Sequence, residues 1–281
     1  MSRVDSYYKL LELSYDGAVE YLLNKYGAVI DDYYRENSYA RFLKDEIKSI
    51  SRGKFTRTHD GLYTHHIDEY SKLNLANYRY IKHFKYPYKH QKKERLVYCD
   101  LIEHAILHVL IIKETHRDKT DFNPFKHSLS RPPGYETYLK PNIILWYIDK
   151  IKPEKQWEIN CYNKAFLTPI EACNLSNYMD KIAGIDPPFV KSLEEYYDRK
   201  RLLEEERLEN IRQRNKRAIE EYERLKLYAK DLHEKSPREQ ILSTLYNFKN
   251  REERIDYKSF KKEMNKYFKE DLFEQVQKYL T

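Results

Sequence analysis

Three stretches of the sequence decide the fold that we predict: YTHHID at 63–68, RLVYC at 95–99 and DLIEHAILHVLIIKE at 100–114. The first two are rich in aromatic and β-branched residues, which favour β-strands. Asp100 and Glu103 have the spacing of a capping box, which predicts that a helix begins at Leu101. The order from about residue 55 to 114 is therefore strand, strand, helix.

Four histidines occupy these stretches. His65 and His66 are adjacent on a strand, so their side chains point to opposite faces and cannot do the same job. His104 and His108 are four apart on a helix and project from one face. One strand imidazole and two helical ones can hold a divalent ion and leave positions open for water or a phosphate oxygen. The other strand histidine is then available as a general base, because its ordinary pKa is near neutrality.

These residues resemble the HNH (ββα-metal) endonucleases, in the three-histidine version found in nuclease colicins. The YxHHIDE and RLVYC patterns are also similar to uncharacterised HNH-like proteins of Gram-positive bacteria and phages. The resemblance implies that His65, His104 and His108 are metal ligands and that His66 is the base. Arg95 stands nine residues before His104, where the family has an Asn that braces the loop presenting the base. The brace must come from elsewhere, or Arg95 itself contacts the scissile phosphate.

A basic and aromatic stretch separates the two predicted strands and should therefore lie beside the four histidines. We expect its positive side chains to contact phosphates: Lys72, Arg79, Lys82, Lys85, Lys89, Lys92 and Lys93. Its tyrosines are candidates for stacking on bases or sugars: Tyr78, Tyr80, Tyr86 and Tyr88. The alternative is a solvated loop with ordinary charges.

Composition agrees with an anionic partner but is weak support for one. The formal charge is +7, yet 45 acidic residues are interspersed with 52 basic ones. The three cysteines are widely separated, odd in number and in no CxxC pair, so they indicate neither a disulfide framework nor a thiolate zinc site and favour a reducing compartment. The sequence has neither a signal-peptide core nor an apolar run of about 18 residues. We therefore expect a cytoplasmic protein with no membrane partner.

The sequence predicts an α+β protein that is predominantly helical, with three regions: 1–115, 116–188 and 189–281. Apolar spacing predicts two helices between residues 5 and 50, with a break at Lys25-Tyr26-Gly27. Residues 116–141 have the composition of a loop, and the apolar run 143–148 is a buried element of undetermined type. Thr168 and Pro169 predict the start of a helix that extends to about residue 183.

The last region begins with a long charged helix, predicted from about Lys191 to Glu234. Two interleaved seven-residue repeats have the spacing of a coiled-coil seam: Leu208, Asn215, Tyr222, Ala229 and Ile211, Ala218, Leu225, Leu232. Three arrangements of this helix are left as alternatives: a homodimer through the helix, a helix packed on its own domain, and a free helix. Pro237 ends it, and short amphipathic helices follow with these core candidates: Leu245, Phe248, Phe260, Met264, Phe268, Phe273 and Val276.

The predicted function is a metal-dependent nuclease that hydrolyses phosphodiester bonds, in double-stranded DNA, with one divalent ion. Three imidazoles suit Zn²⁺ and Ni²⁺, and HNH-like sites also use Mg²⁺ or Mn²⁺, so the metal stays open. A rival is a non-catalytic nucleic-acid-binding protein in which the same histidines hold a structural zinc ion. A third alternative is a helical scaffold whose long helix dimerises.

Overall fold

The computed structural model describes residues 3–115, 135–185 and 190–280. The chain divides into two compact units, Met1–Asp198 and Arg199–Thr281. Helices predominate and one two-stranded sheet accompanies them in the described residues, which confirms the predicted helix-rich α+β class. None of the helices in those ranges combines the length and the apolar character needed to cross a membrane.

The first unit begins with three helices, α1 (Arg3–Glu12), α2 (Tyr15–Tyr26) and α3 (Glu36–Leu43). The sequence predicted only two helices before residue 50, and this was wrong. Ser14 interrupts the first one, because its side chain accepts a hydrogen bond from the Gly17 backbone N–H and caps α2.

The predicted strands are present as β1 (Tyr63–His66) and β2 (Leu96–Cys99), which pair antiparallel. Their register places His65 opposite Val97 and His66 opposite Leu96. Residues directly opposite each other share a face of the sheet, so the two histidines lie on different faces, as predicted. A short helix, α4 (Tyr78–Phe84), lies between the two strands in the chain.

Helix α5 (Leu101–Thr115) follows β2 directly and is the centre of the first unit. Its predicted capping box is formed: the Glu103 N–H donates to Asp100 Oδ1 (2.9 Å), and the Asp100 N–H donates to Glu103 Oε2 (2.8 Å). Val97 and Cys99 of β2 join the core around α5, whereas the alternate residues Leu96 and Tyr98 join a second apolar cluster. The sheet therefore divides two cores, and β1 offers one histidine to each.

Residues 135–185 complete the core around α5 and are not a separate layer. Three successive helical segments form the stretch predicted in part as a loop: Tyr135–Leu139, α6 (Lys140–Ile143) and Ile144–Ile148. The loop prediction was wrong from Tyr135 onward, and residues 116–134 lie outside the described ranges. The next helices are α7 (Gln156–Lys164) and α8 (Pro169–Ile182). Thr168 caps α8 in a capping box, as its position before Pro169 predicted.

The boundary between the units falls within α9 (Leu193–Lys230), the predicted long helix. It is followed in the second unit by α10 (Arg238–Glu253), α11 (Tyr257–Met264) and α12 (Lys269–Gln277). Residues at the end of the heptad pattern pack on this unit's own core: Tyr222, Leu225, Ala229 and Leu232. That part of the seam is occupied within the chain. Phe268 is 78% exposed, so its assignment to the core was wrong.

Candidate metal centre

The three predicted metal ligands meet in the structure. His65 on β1 and His104 and His108 on α5 each offer a nitrogen, and these atoms all lie within 4.8 Å of one another. The ring centroids of His65 lie 5.2 Å from His104 and 5.1 Å from His108, and those of the helical pair are 5.0 Å apart. The spacing of four on α5 and the pairing of β1 with β2 bring them together.

Tyr15 at the start of α2 fixes the orientation of His65. Its hydroxyl donates to the Ile67 carbonyl oxygen (2.8 Å) and lies 2.9 Å from His65 Nε2. A hydroxyl has one hydrogen, and the carbonyl can only accept, so His65 Nε2 must carry a proton and donate to the Tyr15 oxygen. His65 Nδ1 is then the nitrogen with the free lone pair. Such an outer hydrogen bond commonly sets the tautomer of a metal-binding histidine.

Two nitrogens of the cluster are in the state that a metal site would explain. His65 Nδ1 and His104 Nδ1 are buried and have no hydrogen-bond partner among the described residues. Buried polar atoms in native proteins are nearly always satisfied, so each such atom calls for an explanation. An ion held by the cluster would give the lone pair of His65 Nδ1 a partner.

The electrostatics of the cluster favour neutral imidazoles, which is the form that binds metal. Burial lowers the pKa of His108 to about 4. Burial also lowers the pKa values of His65 and His104, and repulsion between the rings lowers them further. The His65 side chain is fully buried, whereas that of His108 is 14% exposed, so solvent reaches the cluster from the side of His108.

Glu69 is a member of this site that the sequence analysis missed. Its Oε2 lies 3.5 Å from His108 Nε2 and 3.9 Å from His65 Nδ1. Burial raises its pKa to about 7, against the opposing effect of a hydrogen bond from the Leu75 backbone N–H. Strand alternation predicts that Glu69 shares a face with His65, but it does not predict the approach to His108. That approach depends on the short 3₁₀ helix Ile67–Tyr70, which turns the chain directly after β1.

His66, the predicted base, lies outside the cluster on the other face of the sheet. It is 2% exposed, and its Nε2 is 3.1 Å from Gln91 Oε1. The Gln91 amide is oriented by donating through Nε2 to the Leu75 carbonyl oxygen (3.0 Å). His66 Nε2 therefore carries the proton and Nδ1 the lone pair. Burial lowers its pKa to about 4, although the Gln91 bond acts in the other direction. Gln91 therefore orients the His66 ring, a contact that the sequence analysis did not predict.

Arg95 is engaged by a carboxylate. Its guanidinium binds Asp68 through Nε, at 3.1 and 3.0 Å from the two carboxylate oxygens, and through Nη2. His90 Nδ1 also lies 2.7 Å from Asp68 Oδ2. Burial raises the pKa of Asp68, but the bonds from Arg95 and His90 outweigh that effect and hold it below its ordinary value. Arg95 is half exposed, so it can still face an anion beyond Asp68.

The predicted phosphate-binding residues lie mostly on the surface. Six are exposed and Lys72 is half-buried; the exposed ones are Arg79, Lys82, Lys85, Lys89, Lys92 and Lys93. Lys82 forms an ion pair with Asp45. The stacking prediction was wrong for Tyr80 and Tyr86, which are buried in an apolar cluster with α3 residues. Tyr78 and Tyr88 are half-buried. The Tyr78 hydroxyl donates to the Ile50 carbonyl oxygen, and the Tyr88 hydroxyl contacts the Asp32 carboxylate at 2.7 Å and the Tyr34 carbonyl oxygen at 2.8 Å. These tyrosines contribute to the core because the segment between β1 and β2 packs against α3 and is not a solvated loop.

Searches of protein-family models, of curated proteins and of solved structures found no match to this chain. Three neutral imidazoles lie together, and two of them have a buried nitrogen without a hydrogen-bond partner in the described residues. The Glu69 carboxylate lies beside His65 and His108.

Proposed function

We propose that this protein is a metal-dependent nuclease of the HNH kind, hydrolysing phosphodiester bonds in DNA with one divalent ion on His65, His104 and His108. The observation that carries the proposal is the convergence of these three imidazoles from a strand and the following helix. Their elements follow one another as β1, β2 and α5, the order that the resemblance to ββα-metal nucleases implies. A bound divalent ion supplies charge neutralisation at a phosphate in such a reaction.

The chain's own residues hold and shape this site. Tyr15 keeps the lone pair of His65 on Nδ1, and the backbone of α5 fixes the separation of His104 and His108. In the resemblance His66 takes the proton of the attacking water. Its low pKa keeps it neutral at neutral pH, the form that can accept a proton, but also makes it a weaker base than an ordinary histidine. His66 is almost fully buried, so access of that water to its ring is restricted.

The exposed basic residues of the segment between β1 and β2 are the proposed contacts for the phosphate backbone. They follow β1 directly in the chain, and Arg95 immediately precedes β2. Contacts of this kind bind DNA without regard to sequence and weaken as salt is added, because counterions are released on binding. Replacing Lys89 and Lys92 by Gln should therefore lower DNA affinity and reduce its salt dependence.

Incubation of supercoiled plasmid with the purified protein and Mg²⁺, Mn²⁺, Ni²⁺ or Zn²⁺ tests the function. We expect nicking with at least one ion in the wild type and none in His108→Ala. His66→Gln should cut poorly while retaining metal and DNA affinity. Full cutting by that variant would exclude His66 from the reaction, and no cutting by the wild type with any ion would refute the nuclease function.

A second candidate is a nucleic-acid-binding protein with a structural zinc ion, and the burial of His65 favours it. A structural ion is part of the fold, so its removal should unfold the first unit. A catalytic ion should leave by chelation with the helical content unchanged. Circular dichroism before and after chelation separates the two.

A further inference from the structure

Resting on the metal site of the proposed function, we propose that Glu69 is a fourth protein ligand, which makes the centre a three-histidine, one-carboxylate site. The same atom, Glu69 Oε2, lies 3.5 Å from His108 Nε2 and 3.9 Å from His65 Nδ1. His65 Nδ1 is also the nitrogen whose lone pair Tyr15 leaves free and which has no hydrogen-bond partner in the described residues.

The two distances fit ligands that share an ion better than they fit hydrogen bonds. An N–H···O bond in a protein spans about 2.7–3.2 Å, and both contacts of Glu69 are longer. Two ligands of one tetrahedral ion, each about 2.0–2.1 Å from it, stand about 3.4 Å apart. The 3.5 Å contact with His108 Nε2 has the separation that a common ion would impose. The 3.9 Å contact with His65 Nδ1 is longer, so the Glu69 carboxylate would move toward His65 on binding the ion.

The backbone around Glu69 is held in place by the residue that orients His65. The Ile67 carbonyl accepts the Tyr15 hydroxyl, and the Tyr70 ring lies 5.1 Å from the Tyr15 ring. Both residues belong to the 3₁₀ helix Ile67–Tyr70 that carries Glu69. Tyr15 thus positions both His65 and the segment that carries Glu69. A metal site requires its ligands to be held in place in this way before the ion binds.

A fourth protein ligand determines which ions leave room for a substrate. Zn²⁺ commonly takes four ligands, so three imidazoles and one carboxylate would close its coordination. Ions that take six ligands, such as Mn²⁺, Co²⁺ or Ni²⁺, would keep two positions for phosphate oxygens or water. The centre is therefore expected to bind Zn²⁺ as an inhibitor and to work with the six-coordinate ions.

Binding of Co²⁺ to the chelator-stripped full-length protein tests the role of Glu69. The affinity is measured by competition with a chromophoric chelator, and the ligand set is monitored by the visible absorption of Co²⁺. Loss of an outer partner costs about 10- to 100-fold in metal affinity, and loss of a direct ligand should cost at least the upper end of that range. Glu69→Gln should therefore weaken binding by about 100-fold or more and should change the spectrum. The control is Glu94→Gln, which removes the same charge from an exposed side chain and should bind as the wild type does.

The outcomes separate this inference from the proposed function. If Glu69→Gln binds Co²⁺ with the affinity and spectrum of Glu94→Gln while His108→Ala has lost binding, the site exists and Glu69 is not its ligand. If His108→Ala binds as tightly as the wild type, the metal centre itself is wrong. Glu69→Asp is the second variant should Glu69→Gln fail to fold. It keeps the negative charge, but its shorter side chain cannot place the carboxylate oxygen at the same position. Binding of Co²⁺ by this variant with the wild-type affinity would overturn the inference.

Discussion

Replacing Tyr15 by Phe removes one oxygen that two buried partners share. The Ile67 carbonyl loses its donor and His65 Nε2 loses its acceptor, while the ring and its packing are retained. We expect two separate effects, a loss of folding stability from the unpaired groups and a loss of metal affinity from the freed imidazole.

The magnitudes follow from the two broken contacts. Each buried polar group left without a partner costs about 1–3 kcal/mol, so the free energy of unfolding should fall by about 2–4 kcal/mol after some relaxation. Loss of the outer partner of a metal-binding histidine weakens affinity by about 10- to 100-fold, which equals about 1.4–2.7 kcal/mol. Urea denaturation of the metal-free protein measures the first effect, and Co²⁺ competition measures the second.

Tyr34→Phe is the matched control. Tyr34 is equally buried, and its hydroxyl donates to the Ala76 carbonyl oxygen (2.7 Å) in a cluster away from the histidines. It should lose about 1–3 kcal/mol of stability and no metal affinity. If Tyr15→Phe also keeps wild-type Co²⁺ affinity, Tyr15 does not orient a metal ligand and the reasoning about His65 is refuted.

Three further predictions concern the first unit. Burial lowers the pKa values of His66 and His108 to about 4, so both stay neutral in the folded state while the unfolded chain gains protons below about pH 6.5. The free energy of unfolding of the metal-free protein should therefore fall between pH 6.5 and 4 in urea titrations. Glu69 opposes this, because its raised pKa of about 7 lets the folded state take up a proton over the same range, so the pH dependence is compared with that of Glu69→Gln, in which an unchanged value would contradict the burial of the two histidines. A saturating divalent ion, at about 100 times its dissociation constant, should stabilise the fold by about 2.7 kcal/mol at neutral pH, and calorimetry without a shift in midpoint would contradict specific binding. Gly61→Ala should lower the free energy of unfolding, measured in urea, by more than about 1 kcal/mol. The reason is that φ at this position is +76° and the new Cβ would stand 2.5 Å from the Asn160 carbonyl oxygen. A variant as stable as the wild type would contradict this packing.

The parts of the site that follow from local rules could be predicted from the sequence. Alternation along β1 separates His65 from His66, the capping box starts α5, and the spacing of four puts His104 and His108 on one face. These features depend on residues close together in the chain. The convergence of His65 with the helical pair also needed the pairing of β1 with β2, which the family resemblance implied.

The parts that the sequence did not predict depend on distant contacts. Tyr15 reaches His65 from a helix 50 residues away, and Gln91 reaches His66 across 25 residues. Neither contact has a local signature. The tyrosines at 80 and 86 were misassigned for the same reason, because their burial depends on α3 and its neighbours, which lie more than 30 residues earlier in the sequence.

The central claim is that His65, His104 and His108 hold one divalent ion, and anomalous scattering from crystals grown with Mn²⁺ or Co²⁺ tests it most directly. We predict one strong anomalous peak at bonding distance, about 2.0–2.3 Å, from a nitrogen of each ring. Crystals in which the three rings enclose no peak, under conditions where the ion is in excess, would contradict the account.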